Sequence, residues 1–328
     1  NVVEVTYFEA IGLAKSNLLE TFEDKEIPSI ANLPKELVVR NKDGKIVGLA
    51  THFGYYGIAF NNTLAKASDF QSWNDLTDAR WKGKLAVTRP VYATSYDLTI
   101  LAHANGGGAA KFEPGIEPLK AIFANSLTTY TSLAHMNTLL TRGEVTAAPF
   151  YSTRVWSLRR DGQKTIELAI PKEGALMLPY VVVVPKGSAE RAQTITYLNE
   201  LLDAAAQTRI SGQNGSIPTN NKAVLPPEYE QDLGMTREAL MKKMYIPDWN
   251  VIVSDYEDRL NRVEQIAAGP DRAPPAVAGV AQRGRRHAFL ERRADGRAEA
   301  GHLGALEERT VGEFRGVLGR ERLEPLGE

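Results

Sequence analysis

The residues able to do chemistry in this chain are few, and they exclude most reactive mechanisms. The 328 residues contain no cysteine, so thiol nucleophiles, disulfides and thiolate-bound metals are excluded. Three histidines, His52, His103 and His135, fall in the first 269 residues, and none lies within a few residues of another, as a zinc-binding pair would. Neither a Gly-x-Ser-x-Gly elbow nor a Gly-x-x-x-x-Gly-Lys-Ser/Thr phosphate loop occurs. The glycine triplet at 106–108 follows a helix-patterned segment, so it reads as a helix stop and not as a phosphate cradle. What remains is a set of aromatic and polar residues at the ends of apolar runs. These are Tyr7; His52, Phe53, Tyr55 and Tyr56; Arg89, Tyr92, Ser95 and Tyr96; Phe150, Tyr151 and Arg154; and Pro179 with Tyr180. Rings with polar tips suit a cleft that sheds water around a small ligand and still hydrogen-bonds it. The implied chemistry is binding, without catalytic residues, cofactor or metal.

The elements that must position these residues alternate between strand and helix. Residues 2–5 pattern as a strand that leads directly into an amphipathic helix over 11–19. A proline-containing surface connection, 22–39, and an Asp43-Gly44 turn then deliver the chain into a strand over 48–61. In that strand Tyr56, Ile58 and Phe60 repeat with a period of two, and Gly54 and Gly57 bracket the tyrosines. Ser72 caps a predicted helix bearing Trp73, Leu76 and Ala79, and a short buried strand, Leu85–Val87, is stopped by Arg89-Pro90. Helices are expected over 97–104, 116–125, 136–141, 154–160, 188–207, 236–244 and 251–266, with strands at 128–130, 145–151, 166–170 and 176–185. Such alternation predicts an α/β fold with mixed, mostly parallel sheets.

Composition narrows the class. With 43% hydrophobic and 24% charged residues the chain is an ordinary globular protein, and a net charge of −1 argues against a nucleic-acid binder. No apolar run reaches the roughly 18 residues of a membrane span. Composition breaks after residue 269: residues 271–328 lack Lys, Ile, Asn, Ser, Tyr, Met and Trp, while arginine occurs eleven times. The tail 270–328 is expected to be disordered, or an out-of-frame translation of a GC-rich gene end.

Four motifs carry a family resemblance: residues 54–61, Gly-Tyr-Tyr-Gly-Ile-Ala-Phe-Asn; Ser72-Trp73-Asn74-Asp75-Leu76 with Trp81-Lys82-Gly83-Lys84-Leu85; Arg142-Gly143-Glu144-Val145; and Ile217-Pro218-Thr219-Asn220. In their order and spacing, residues 1–269 resemble the solute-binding protein of a bacterial ABC importer. That is the type II periplasmic fold, closest in pattern to the spermidine/putrescine-binding group and its ferric-binding relatives. The resemblance implies two lobes that close on a ligand by hinge motion, with a first crossing near residues 85–88 and a return near 178–184. It divides the chain into a first lobe over 1–87, a second over 88–178, a return to the first over 179–210 and C-terminal helices over 211–269. It also implies that roughly 30 or more residues of upstream βα structure precede Asn1, with the export signal.

By the same resemblance the protein is a periplasmic monomer that hands a small-molecule solute to a membrane permease. Tyr7 matches an aromatic contact of the polyamine pattern. Ser132 and His135, however, stand in the region where acids are typical, Phe150 and Leu178 where tryptophan is typical, and Pro179-Tyr180 where an acid is typical. Arg89 and Arg154 could instead grip a carboxylate or phosphate. The expected ligand set is Tyr7, His52, Phe53, Tyr55, Arg89, Tyr92, Ser95, Ser132, Tyr151, Arg154 and Tyr180. The ligand is a polyamine-like or an anionic or zwitterionic solute. The alternatives are a ferric-ion binder of the same fold, for which Tyr55-Tyr56 are a suggestion, or an enzyme or effector-sensing module on that fold.

Overall fold

The longest strand runs over Ile46–Asn61, and every one of its sixteen residues is buried. A strand covered on both faces needs small residues where other backbone or branched side chains come close. A Cβ at Gly48 would lie 2.7 Å from Val181 Cγ1, and one at Gly57 would lie 2.7 Å from the Ala169 carbonyl oxygen. The structure, a computed structural model, describes residues 2–269. The expectations for the tail 270–328 fall outside the described residues.

In chain order the strands are β1 (Val3–Thr6), β2 (Val38–Arg40), β3 (Ile46–Asn61), β4 (Leu85–Val87), β5 (Ser126–Thr129), β6 (Ala147–Tyr151), β7 (Ile166–Ala169), β8 (Ala175–Val183), β9 (Ile217–Pro218) and β10 (Met244–Tyr245). The α-helices are α1 (Tyr7–Lys15), α2 (Pro90–Ala93), α3 (Asp97–Ala104), α4 (Ile116–Asn125), α5 (Leu133–Thr141), α6 (Ser152–Arg160), α7 (Arg191–Leu201), α8 (Ala204–Asn214), α9 (Pro227–Leu233), α10 (Arg237–Met241), α11 (Trp249–Ser254) and α12 (Tyr256–Ala268). The strands join in the order β1-β8-β3-β6-β4-β5, with β2, β7 and β9 also on β3 and β10 on β8. The fold is α/β with a mixed sheet, but less of it is parallel than the alternation predicts. Every partner of β3 runs antiparallel to it, and among the described residues parallel pairing is confined to β4 with β5 and β6 and to β10 with β8.

Strand β3 joins two groups of elements. Its residues Leu49–Tyr56 pair with β8, which carries β1 on its other edge, and its residues Tyr56–Asn61 pair with β6 and β7. Among the described residues Leu85–Val87 pairs only with β5 and β6, whereas β3 pairs with strands of both groups. A three-residue strand spans only ~10 Å and cannot serve both groups, whereas sixteen residues span ~50 Å. The expected return near 178–184 lies in β8, the antiparallel partner of β3.

Capping explains most helix starts, and it also explains where the sequence pattern runs on too far. The helix expected over 188–207 is two, because Asp203 accepts from the Ala206 N–H and starts α8 afresh. Ser72 does cap, accepting from the Asn74 N–H, but the element it caps is a 3₁₀ turn, Trp73–Thr77, in place of the predicted helix. The Trp73 indole N–H donates to the Gly174 carbonyl at 2.8 Å and holds that turn against the sheet.

Candidate binding cleft

The ends of several strands run directly into helices, and two of these junctions meet beside the start of α3. Thr6 closes a capping box with Glu9, which turns β1 into α1 and leaves Tyr7 and Phe8 at the turn. Tyr151 ends β6 and N-caps α6, and Tyr96 is the N-cap residue of α3. Together with Leu178, Pro179 and Tyr180 of β8 and Trp249 at the start of α11, these residues line a cavity of about 30 Å³. A cavity needs only ~10–15 Å³ to hold one water, so this one has room for water but not for an organic solute. The pocket is small and partly open to solvent.

Its walls are rings. Tyr96 lies 6.1 Å from Tyr151 and 6.3 Å from Trp249 between centroids, edge-on to both, and Tyr7 lies 6.5 Å from Trp249. Tyr92 stacks behind Tyr96 at 6.3 Å, and the Arg89 guanidinium sits 5.1 Å over the Tyr92 ring. Burial pushes the Tyr7 phenol up to about 12, helped by Asp248 and Glu36. It raises those of Tyr96 and Tyr151 as well, so the rings are neutral. The Tyr7 hydroxyl is committed, donating to the Glu36 carbonyl at 2.7 Å.

Polar groups behind the rings are left unsatisfied. The Trp249 indole N–H is buried without a hydrogen-bond partner. One layer below Tyr96 and Tyr151 lies Tyr56 of β3, whose ring is 5.6 Å and 5.1 Å from theirs. Its hydroxyl donates to Asp97 Oδ2 at 3.1 Å, while Asp97 Oδ1 has no partner. Burial pushes the Asp97 carboxyl up to about 7, against the downward pull of the Tyr56 hydrogen bond. The Tyr130 hydroxyl, beyond the end of β5, faces the Thr88 and Tyr56 hydroxyls but makes no hydrogen bond of ordinary geometry. Arg89 and Arg154 are half-buried and form no ion pair among the described residues.

The sequence-derived set is divided by this arrangement. Tyr7, Tyr151 and Tyr180 line the cavity. His52 is buried and stacks on Tyr180 at 5.0 Å, with Glu4 3.8 Å from its Nδ1. Tyr92 and Arg89 form the second layer, and Ser95 is buried in the short turn between α2 and α3. Phe53 and Tyr55 lie on the other face of β3, away from the cavity. Successive side chains of a strand alternate, and His52, Gly54 and Tyr56 take the cleft side. Phe53 is fully buried in the core, and Tyr55 is raised by burial and by Asp232 on the α9 side. Ser132 is exposed and occupied as the cap of α5, accepting from the His135 N–H at 3.1 Å. Trp249 and Asp97 are absent from the expected set. For Trp249 a signal existed in Asp248-Trp249, an N-cap followed by a large ring, but only the docking of α11 beside α1 brings it to the cleft.

Residues 10–234 match the family described as "Bacterial extracellular solute-binding protein". A periplasmic protein of Salmonella typhimurium named for 2-aminoethylphosphonate binding is 22% identical over 216 residues, 65% of this chain and 63% of its own length. The spermidine/putrescine-binding periplasmic protein 1 of Haemophilus influenzae is 23% identical over 227 residues, covering 67% of this chain and 62% of its own. The chain thus spans somewhat less than two thirds of the length of these curated relatives. Among solved structures, the ferric binding protein of Campylobacter jejuni superposes with a TM-score of 0.66 at 16% identity, covering 81% of this chain and 83% of its own. That likeness is one of fold. With the family matched over well more than half of its residues, this chain belongs to the bacterial extracellular solute-binding proteins.

Proposed function

We propose that this protein is the solute-capturing component of an ABC importer, a periplasmic monomer that closes on a small organic solute and delivers it to a membrane permease without transforming it. The observation that carries this reading is the ring-walled cleft, built by β1–α1, β8 and Trp249 on one side and by Tyr96 and Tyr151 on the other. At about 30 Å³ the cavity does not enclose an organic solute, so capture requires the walls to rearrange around one. β3, which pairs with both groups of strands, is the natural hinge. On this reading the lobes divide along β3: β1, β2 and β8 lie with its first half, and β4–β7 with its second.

The solute is best read as anionic or zwitterionic. The starts of α1, α3 and α6 all contribute a lining residue, and helix N-termini favour negative charge. Arg89, with no carboxylate partner among the described residues, stands behind Tyr92 and Tyr96. The names of the relatives, which include an aminophosphonate and polyamines, are compatible with an amine on the same solute. The ferric-binding alternative has the fold in its favour. In this chain, however, Tyr55 and Tyr56 point to opposite faces of β3, and no group of three or more His, Asp or Glu is placed to hold a metal among the described residues. The test is thermal melting of the full chain against amino acids, aminophosphonates, polyamines and ferric ion. A solute at about a hundredfold its Kd stabilises by ~2.7 kcal/mol. No stabilisation by any of the four classes refutes the reading, and turnover of a stabilising solute would make the protein an enzyme.

A further inference from the structure

The two groups of strands that share β3 also touch away from the cleft, through α6. That helix leaves β6 at Tyr151 and leads into β7, so it belongs with the second half of β3. β9 and the ends of α8 and α9 belong with the first half. β9 pairs with His52 and Phe53, the Thr219 hydroxyl donates to the Ala50 carbonyl at 2.8 Å, and the Asn221 N–H donates to the Asn32 carbonyl at 2.8 Å. The second half of α6 grips this unit. Arg159 straddles Asp232 of α9, with Nε 3.1 Å from Oδ2 and Nη2 2.8 Å from Oδ1, while its Nη1 donates to the Ile166 carbonyl of β7 at 3.1 Å. Arg160 lies over the Trp156 indole and donates to the Gln213 carbonyl at 2.9 Å. Trp156 itself rests on the bare backbone of Gly215, where a Cβ would come within 2.6 Å of the indole Cγ, and its ring is 5.8 Å from that of Tyr229. Gly215 ends α8 at φ +70°, so its position demands glycine both for the backbone and for the indole. Tyr55, on the face of β3 turned away from the cavity, is buried beside Asp232 and Tyr229, which places the grip on that face.

We propose that this grip sets solute affinity from outside the cleft: Arg159 on Asp232 and Trp156 on Gly215 hold the cleft walls apart and must spread when the walls draw together around a solute. This assignment rests on the solute-capture reading above and names a control on it. The cleft and the grip lie on opposite faces of the strand that joins the two groups. A rotation about β3 that brings Tyr7 and Tyr180 toward Tyr96 and Tyr151 therefore carries α6 away from α8 and α9. Tyr151 is the N-cap residue of α6, so the cleft wall and the grip sit at the two ends of one rigid helix. The free protein is held in the arrangement seen here by contacts that a bound solute must outweigh, and the apparent affinity falls with the fraction of molecules that have not yet closed. Arg159 and Asp232 are positioning residues, because neither lines the cavity.

The test reads the width of the cleft without any solute. The chain has no cysteine, so Lys35→Cys and Val91→Cys place two spin labels at defined exposed sites. Lys35 precedes Glu36, whose carbonyl takes the Tyr7 hydroxyl, and Val91 precedes Tyr92, which stacks behind Tyr96. Pulsed electron-spin distances are measured on the full chain with and without Asp232→Asn. The variant is expected to raise the ratio of short to long distances about fivefold, the effect of losing one well-formed, partly buried ion pair. Gly215→Ala, which wedges the Trp156 indole off α8, is expected to shift the ratio the same way. Glu26→Gln breaks the ion pair with Arg191 beside Phe22, entirely within the first group, and is expected to lower melting slightly while leaving the distances unchanged. In calorimetric titration with 2-aminoethylphosphonate, Asp232→Asn is expected to bind about three- to fivefold more tightly than wild type. Distances that stay the same or lengthen in both grip variants overturn the proposal and leave the capture reading standing, and so does equal or weaker binding of the phosphonate by Asp232→Asn. Shortened distances in chains that no solute class stabilises uphold the grip and overturn the capture reading.

Discussion

Replacing Asp97 by asparagine is expected to make the protein more stable at neutral and alkaline pH. Asparagine keeps the shape and the acceptor for the Tyr56 hydroxyl, 3.1 Å away, and removes the charge. The carboxyl is raised from 3.8 to about 7 by burial, so between those values the folded chain binds a proton that the unfolded chain has released. Stability therefore falls as pH rises through this window and levels off above it. At 1.36 kcal/mol per unit, the full shift corresponds to about 4 kcal/mol lost between the acid and alkaline limits. Loss of a first-turn acid from α3 costs the variant only ~0.3–1 kcal/mol in return. Even half of the larger figure would raise Tm by roughly 3–4 °C for a domain of this size. The assay is the melting temperature of wild type and variant from about pH 4.5 to about pH 8.5, without solute. The two curves are expected to converge at the acid end and separate above neutrality, with the variant higher. Parallel curves across the whole range would mean that Asp97 is ionised in the fold at little cost, and the reasoning from burial would fail.

Other residues give sharper local tests. Trp249→Phe removes a buried, unpartnered indole N–H, so melting is expected to hold or rise while solute affinity falls several-fold by ~1 kcal/mol; a fall in melting with unchanged affinity would remove Trp249 from the cleft. Gly57→Ala places a Cβ 2.7 Å from the Ala169 carbonyl oxygen and is expected to cost ~1–3 kcal/mol in denaturant unfolding, whereas Gly54→Ala, whose nearest neighbour is Thr153 Cγ2 at 3.4 Å, is expected to be nearly neutral. Arg89→Gln is expected to weaken binding of an anionic solute about tenfold or more and to flatten its salt dependence in titrations, with melting unchanged because the guanidinium has no ion pair to lose among the described residues. Tyr96→Ala is expected to abolish binding while Tyr55→Phe leaves it intact, and equal losses in both would contradict the facing of β3 described above.

Much of the architecture could be read from the chain because its causes are local. Period-two apolar residues over 48–61, the β-branched run at 176–185 and the cap at Ser72 each act within a few residues of themselves, and the structure has strands at the first two and a capped turn at the third. Of the three rings named in sequence that line the cavity, Tyr7 and Tyr151 sit at strand ends, whereas Tyr180 lies within β8, paired on both edges.

Tertiary structure decided the rest. Which strand pairs with both groups depended on length and pairing partners, and it is the sixteen-residue β3. Which face of β3 looks into the cleft depended on register, since one step along a strand reverses a side chain; that single step separates Tyr56, behind the cleft, from Tyr55. Trp249 reached the cleft only because α11 docks beside α1, more than two hundred residues away in sequence. Sequence by itself carried the pattern of this family, through local motifs and their order. The fold alone determined that an acid, Asp97, lies uncompensated behind those rings, because burial and the absence of a cation are properties of neighbours that no spacing in the chain records.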